Sequence, residues 1–170
     1  MSVAEILNGL GPTDASATLT RCCGASRWVE AMARMRPFVD DEGVYAAADR
    51  VWSTMEEADQ LEAFGHHPEI GASLSALREK FASTAGWSSG EQASVGSATE
   101  ATLVALRDGN VAYKQRFGFI FIVCATGKSA EEMLALLESR LPNDRATELA
   151  TAAAEQAKIT RLRLEKLASG

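Results

Sequence analysis

The sequence predicts an all-α fold, a single-domain helical bundle of residues 1–170 with one buried extended segment over residues 119–124. Three observations carry this expectation. Alanine, leucine, glutamate and arginine dominate, and apolar residues recur at three- and four-residue spacing, which gathers them on one side of a helix. Several segments open with a Ser/Asp-x-x-Glu pattern, in which the first side chain accepts from an orphan helix N–H and the glutamate reaches back: Ser2 to Glu5, Asp59 to Glu62, Ser88 to Glu91 and Ser129 to Glu132. The exception is Phe119-Ile120-Phe121-Ile122-Val123-Cys124, whose aromatic and β-branched content favours extended backbone and is too apolar for a surface loop. A single strand has no partner in this sequence, so its backbone groups must find others, and a polar ligand is one source.

Helices are expected over residues 2–9, 13–23, 26–35, 43–53, 59–65, 91–117, 129–141 and 144–167. The first starts at its Ser2 cap. Arg36-Pro37-Phe38 reads as the stop of the third, because proline lacks the N–H that a helix interior uses. Asp40-Asp41-Glu42 reads as a solvated acidic turn before the fourth, without the alternating ligands of a calcium loop. Pro68 pushes His67 out of helical backbone and so ends the fifth. Gly86-Trp87-Ser88-Ser89-Gly90 is a loop separating two halves of one helical unit. Trp28, Trp52 and Trp87 are expected in the core or at an oligomer interface.

At 170 residues and 46% hydrophobic composition, the chain is long enough to bury one sizeable core. Its net charge is −6 with a pI near 5.0, and no basic cluster is present to neutralise a phosphate backbone, so nucleic acid is not an expected partner. The longest apolar run, Phe117 to Ala125, is about half of what a membrane span requires. The first residues lack the basic start and apolar core of a signal peptide, and Ala168-Ser169-Gly170 is not a peroxisomal address, which gives a cytoplasmic expectation. Cys22, Cys23 and Cys124 fit reduced, buried small hydrophobes, and neither their number nor their spacing suits zinc.

Chemistry concentrates in Phe64-Gly65-His66-His67-Pro68-Glu69-Ile70-Gly71, which holds both histidines of the chain. The proline aims the imidazole of His67 from a defined turn, and imidazole titrates near neutral pH, as general acid or base work requires. The same residues also read as a plain polar helix end. In Ser88-Ser89-Gly90-Glu91-Gln92, a carboxylate beside an amide at a helix start can orient a histidine and bind polar ring atoms; Ser88 and Glu91 equally satisfy a capping box. Arg163 falls near the middle of the apolar face formed by Leu149, Ala153, Ile159, Thr160, Leu164 and Leu167, while Arg161 points to solvent. A guanidinium on that face should meet a carboxylate, belonging either to the protein or to a substrate.

The order of these blocks closely resembles the OHCU decarboxylases, which act on 2-oxo-4-hydroxy-4-carboxy-5-ureidoimidazoline in urate breakdown. The resemblance rests on His67-Pro68-Glu69-Ile70-Gly71, Ser88-x-x-Glu91-Gln92, Tyr113-x-x-x-Phe117-Gly118-Phe119-x-Phe121-Ile122-Val123-Cys124-Ala125, Glu148, and Ile159-x-x-Leu162-Arg163-Leu164. Cys22-Cys23-x-Ala25-Ser26-x-Trp28-Val29 and Arg36-Pro37-Phe38 are similar to the same family, so that the likeness extends from Leu7 to Leu167. It implies an all-helical homodimer that forms (S)-allantoin with release of CO2, needs no metal or organic cofactor, and is coupled functionally to urate oxidase and hydroxyisourate hydrolase.

By position, the resemblance implies that His67 is the catalytic histidine with Pro68 lining the pocket. Ser88, Ser89, Gly90, Glu91 and Gln92 would form one substrate-binding strip, with Glu91 also assisting catalysis. Phe121, Ile122, Val123, Cys124 and Ala125 would form a second, and Arg163 matches a further polar pocket residue. The chain departs from the family after Gln92, where Ala93-Ser94-Val95 replaces a common Ala-Gly-Leu. Two other readings of the residues stand beside this one. The first is a non-catalytic helical dimerisation or ligand-binding module, with His67 a turn residue and Glu91 a cap. The second is a metal hydrolase using His66, His67 and a carboxylate, which adjacent, divergent histidines suit poorly.

Overall fold

The structure, a computed structural model, describes residues 1–68, 74–75, 77 and 89–169, with the side chains of residues 89–99 outside that description. The described elements are helices: α1 (Val3–Gly9), α2 (Pro12–Cys22), α3 (Ser26–Arg34), α4 (Asp41–Ser53), α5 (Glu57–Gly65), α6 (Ser89–Phe117), α7 (Ala130–Arg140) and α8 (Arg145–Ser169). No strand occurs among the described residues, and the all-α expectation holds. No helix among them is long and apolar enough to cross a membrane. The chain forms two compact units, one of Met1–His67 with Ala153–Gly170 and one of Pro68–Ala152.

In the first unit the apolar faces of α1 to α4 and the end of α8 supply Leu7, Leu19, Trp28, Met32, Val44 and Leu164, all fully buried. Each buried indole N–H is satisfied by a carbonyl, Trp28 on Ala48 at 3.1 Å and Trp52 on Ala153 at 2.9 Å. Trp87 lies outside the described residues. Ser2 and Glu5 form the expected capping box. The acidic run expected as a solvated turn before the fourth helix instead forms its start: Asp40 caps α4 through Gly43 N–H, and Asp41, its first residue, accepts the N–H of Ala4 at 2.8 Å, tying α1 to α4. Arg36-Pro37-Phe38 likewise does more than stop a helix. Arg36 Nη1 donates to the carbonyls of Leu7 and Leu10, satisfying the end of α1, while the Asn8 amide both donates to and accepts from the backbone of Phe38. The Arg36–Pro37 peptide is cis.

The start of α5 corrects the sequence pattern. Its cap is Glu56, paired reciprocally with Asp59, so the helix begins before the expected Asp59. Glu62 turns to α3 instead, accepting from the N–H of Ser26 at 2.7 Å and from its hydroxyl at 2.8 Å. Those two donors hold the Glu62 carboxyl below its usual range.

In the second unit α6 and α7 pack so closely at Gly109 that a Cβ there would stand 2.7 Å from Leu137 Cδ2. Between them the chain leaves the helix at Gly118 and returns through Gly127, with φ of 82° and 76°, a region that favours glycine. The segment between runs buried and without sheet partners, as expected. Two of its carbonyls are met by cationic side chains, Arg140 Nη1 donating to Ile122 O at 2.7 Å and Lys128 Nζ to Cys124 O at 2.8 Å, while Arg145 Nε donates to Phe117 O at the end of α6 at 3.2 Å.

Arg140 can be buried because Glu148, 0% exposed, lies beside it with Arg140 Nε donating to Oε1 at 2.5 Å. Tyr113 donates its hydroxyl to the same oxygen at 2.6 Å, and Asn143 its amide to Oε2 at 3.1 Å. The guanidinium also stacks 4.7 Å over the ring of Phe121, so one arginine secures both the main chain and a side chain of the extended segment.

Candidate active site

The turn after α5 presents His67 as the Pro68 position predicts. His66 N–H donates to Ala63 O and His67 N–H to Phe64 O, closing the helix end, and Pro68 follows exposed. The imidazole of His67 then meets the last helix. Its Nε2 lies 2.5 Å from Gln156 Oε1, and its Nδ1 lies 3.3 Å from Arg163 Nη2. Gln156 in turn donates through Nε2 to Thr160 Oγ1 at 3.0 Å. Residues 156, 160 and 163 stand at i, i+4 and i+7, which aligns all three on one face of α8. Gln156 and Thr160 are buried; His67 and Arg163 are partly exposed.

Burial is the main reason the His67 ring holds its proton less tightly than an ordinary histidine, with the positive charges of Arg163 and His66 acting the same way and the Gln156 bond opposing them. The resting imidazole is therefore neutral at neutral pH. Two thiols flank this region. Burial pushes Cys22 up to about 11 and raises Cys23 as well, so both stay protonated and unreactive, in keeping with their being free and buried.

Arg163 does not behave as its place on the apolar face suggested. It is half-buried rather than central, and among the described residues its partners are the Arg21 carbonyl, 3.2 Å from Nη1, and His67 instead of a protein carboxylate. The arginine that meets a buried carboxylate is Arg140, on Glu148. Arg161 points outward as expected, pairing with Glu165 and stacking on Tyr45.

The structure thus brings together His67 and Arg163 and adds Gln156 and Thr160, which the sequence reading missed. Their signal was the register with Arg163. Phe121, Ile122, Val123 and Cys124 are buried and Ala125 half-buried in the second unit. Ser89, Gly90, Glu91 and Gln92 stand in the first turn of α6 with side chains outside the described residues, as are Ser88 and Glu69-Ile70-Gly71, so the choice between cap and site for Glu91 falls outside them too. Among the described residues no group of three or more His, Cys, Asp and Glu side chains gathers as a metal site.

A helical chain with a histidine held between an amide and an arginine at a proline turn is the arrangement found here, and comparison with known proteins gives it a family. The sequence profile of the OHCU decarboxylase family matches residues 8–165, and the chain belongs to that family. It is 41% identical over 150 residues to the uric acid degradation bifunctional protein TTL of Arabidopsis thaliana, a match covering 87% of this chain and 45% of that protein, less than half its length. It is 33% identical over 141 residues to the 2-oxo-4-hydroxy-4-carboxy-5-ureidoimidazoline decarboxylase of Amia calva, covering 78% and 74%. The crystal structure of an OHCU decarboxylase in the presence of (S)-allantoin superposes with a TM-score of 0.72 at 36% identity, over 89% of this chain and 96% of that one. An (S)-allantoin synthase structure, at 18% identity and TM-score 0.69, shares the fold.

Proposed function

We propose that this chain, acting as one domain, decarboxylates 2-oxo-4-hydroxy-4-carboxy-5-ureidoimidazoline to (S)-allantoin in urate catabolism. The observation that carries the reading is His67 held between Gln156 and Arg163 at the proline turn in a chain of this family. When CO2 leaves, its bonding pair forms a double bond to the neighbouring ring carbon and displaces that carbon's C=N pair onto nitrogen, which takes a proton from solvent. The hydroxyl then loses its proton as its carbon becomes a carbonyl, and one proton is added to a single face of the neighbouring carbon. A neutral imidazole suits both proton steps: His67 takes the hydroxyl proton as base and returns it to carbon as acid. Arg163, whose guanidinium carries five donors, has donors left for the substrate carboxylate.

Ser88 to Gln92 and Phe121 to Ala125 are proposed as substrate-binding strips, with Glu91 an aid to catalysis; the support for these is their match to the family pattern. The chain is further proposed to act as a cytoplasmic homodimer, receiving its substrate from urate oxidase and hydroxyisourate hydrolase and needing no cofactor. The test generates the ureidoimidazoline in place from urate with those two enzymes and follows circular dichroism. Faster appearance of (S)-allantoin than in the racemic background, unchanged by EDTA, is expected. Identical traces with and without the chain refute the activity, and inactivation by EDTA with recovery on added zinc or manganese refutes the cofactor-free chemistry.

A further inference from the structure

Both ring nitrogens of His67 have partners, and the partners are chemically unlike. Arg163 has only donors, so Nδ1 beside it must accept and carries no proton. Gln156 Oε1 only accepts, so the Nε2 beside it must carry the proton. The amide cannot be turned round without penalty. Turned, it would donate to Nε2, force the proton onto Nδ1 and set that N–H against the guanidinium. In the observed sense its nitrogen donates to Thr160 Oγ1, and the Thr160 side chain in turn bonds Cys23. One assignment therefore satisfies Arg163, His67, Gln156 and Thr160 together.

The two sides of the ring also differ in access. Gln156 is 0% exposed and Thr160 5%, so the Nε2 side is closed by protein, while the Nδ1 side faces the partly exposed Arg163. We propose that Gln156 is a positioning residue of this site: it fixes His67 in the Nε2–H tautomer, so that the unprotonated Nδ1 is the nitrogen that exchanges protons with substrate. This rests on the decarboxylase reading and deepens it. The Arg163 contact to Nδ1 is long for a hydrogen bond to a cation, and a substrate carboxylate competes for the same guanidinium, so arrival of substrate uncovers the reacting nitrogen. Among the described residues, the charged and titratable groups facing the ring are Arg163 from α8 and His66 from its own turn, with Cys22 and Cys23 beyond Arg163 at the end of α2.

The test uses the whole chain labelled with ¹⁵N-histidine, in which His66→Asn leaves one imidazole to observe. Long-range ¹⁵N–¹H correlation is expected to show neutral His67 protonated on Nε2. In Gln156→Glu, nearly the same shape with a carboxylate on that proton, the His67 titration midpoint should rise by about one pH unit or more, and the acid limb of kcat should move with it. Gln156→Leu should lower kcat by about 10- to 100-fold, the scale seen when a histidine loses the group that orients it, with KM little changed. A wild-type ring protonated on Nδ1, or a midpoint unmoved in Gln156→Glu, overturns the positioning role, since a merely structural glutamine would not shift a titration. The NMR readout needs no turnover. An inactive wild-type chain with the expected titration overturns the decarboxylase reading, and with it the catalytic part of the proposal.

Discussion

Gly24 lies directly beneath His66: a Cβ built on Gly24 would run into His66 Cγ and stand 2.6 Å from both Cβ and Cδ2. The neighbour is the root of an imidazole, which cannot swing aside as the tip of a long side chain does. Space is therefore what requires glycine between the buried Cys23 and Ala25, and that space seats the turn from which His67 projects. Gly24→Ala should destabilise the chain by about 1–3 kcal/mol, the cost of overpacking, and lower activity by displacing His67. Thermal melting and the allantoin assay measure both. Adding His66→Gly removes both the obstructing ring and its Cβ, so the double variant should regain much of the stability lost to Gly24→Ala. If the two effects simply add, the contact is not the reason.

His67→Asn should keep the melting temperature near that of the parent and drop the rate by about 10²-fold or more, the usual loss for a general acid or base. Wild-type turnover in this variant would remove the histidine from the chemistry and place the proton transfers on another group.

The depressed affinity of His67 for its proton also predicts a pH dependence. The ring's folded value lies below its ordinary 6.5 because burial disfavours the cation. Between the two values the unfolded chain binds the proton and the folded chain does not, so the neutral ring's contribution to stability is fully present above about 6.5 and is lost as pH falls towards the folded value. Catalysis by a neutral base should fall off on the acid side as well. Denaturant midpoints across pH 4 to 8, compared with His67→Asn, isolate this contribution; equal pH slopes in the two proteins would contradict it.

Glu148→Gln should be among the most damaging single changes in the second unit. It keeps the shape but removes the negative charge that Arg140 meets among the described residues, leaving a buried guanidinium without its counter-charge at a cost of about 3–5 kcal/mol. Because Arg140 also donates to the Ile122 carbonyl, amide exchange in residues 119–125 should quicken in step. Exchange rates matching those of the parent would show that the segment is held by its aromatic packing alone.

Arg163→Lys retains the charge and loses the planar fork that reaches the Arg21 carbonyl and His67 together. Weaker substrate binding, seen as a raised KM, is expected, with a smaller effect on melting temperature. An unchanged KM would assign Arg163 a purely structural role.

The local rules were legible in the residues themselves. Apolar spacing located the helices to within a few positions, Ser2 and Ser129 cap where the pattern places them, Pro68 sets the His67 turn, and the run at 119–124 is buried and extended. Each of these depends on neighbours within about one helical turn, whose geometry the backbone imposes. Tertiary structure decided the rest. Glu62 follows a capping pattern with Asp59 yet serves Ser26, 36 residues away. Arg163 occupies an apolar register yet meets a histidine, while Arg140, with no such register to recommend it, takes the buried carboxylate. Gln156 joins His67 across 89 residues of sequence. A polar side chain on a helix can be assigned a face from the sequence, but its partner depends on which other face is packed against it, and burial then selects the pair that leaves no charge or hydrogen-bonding group unsatisfied.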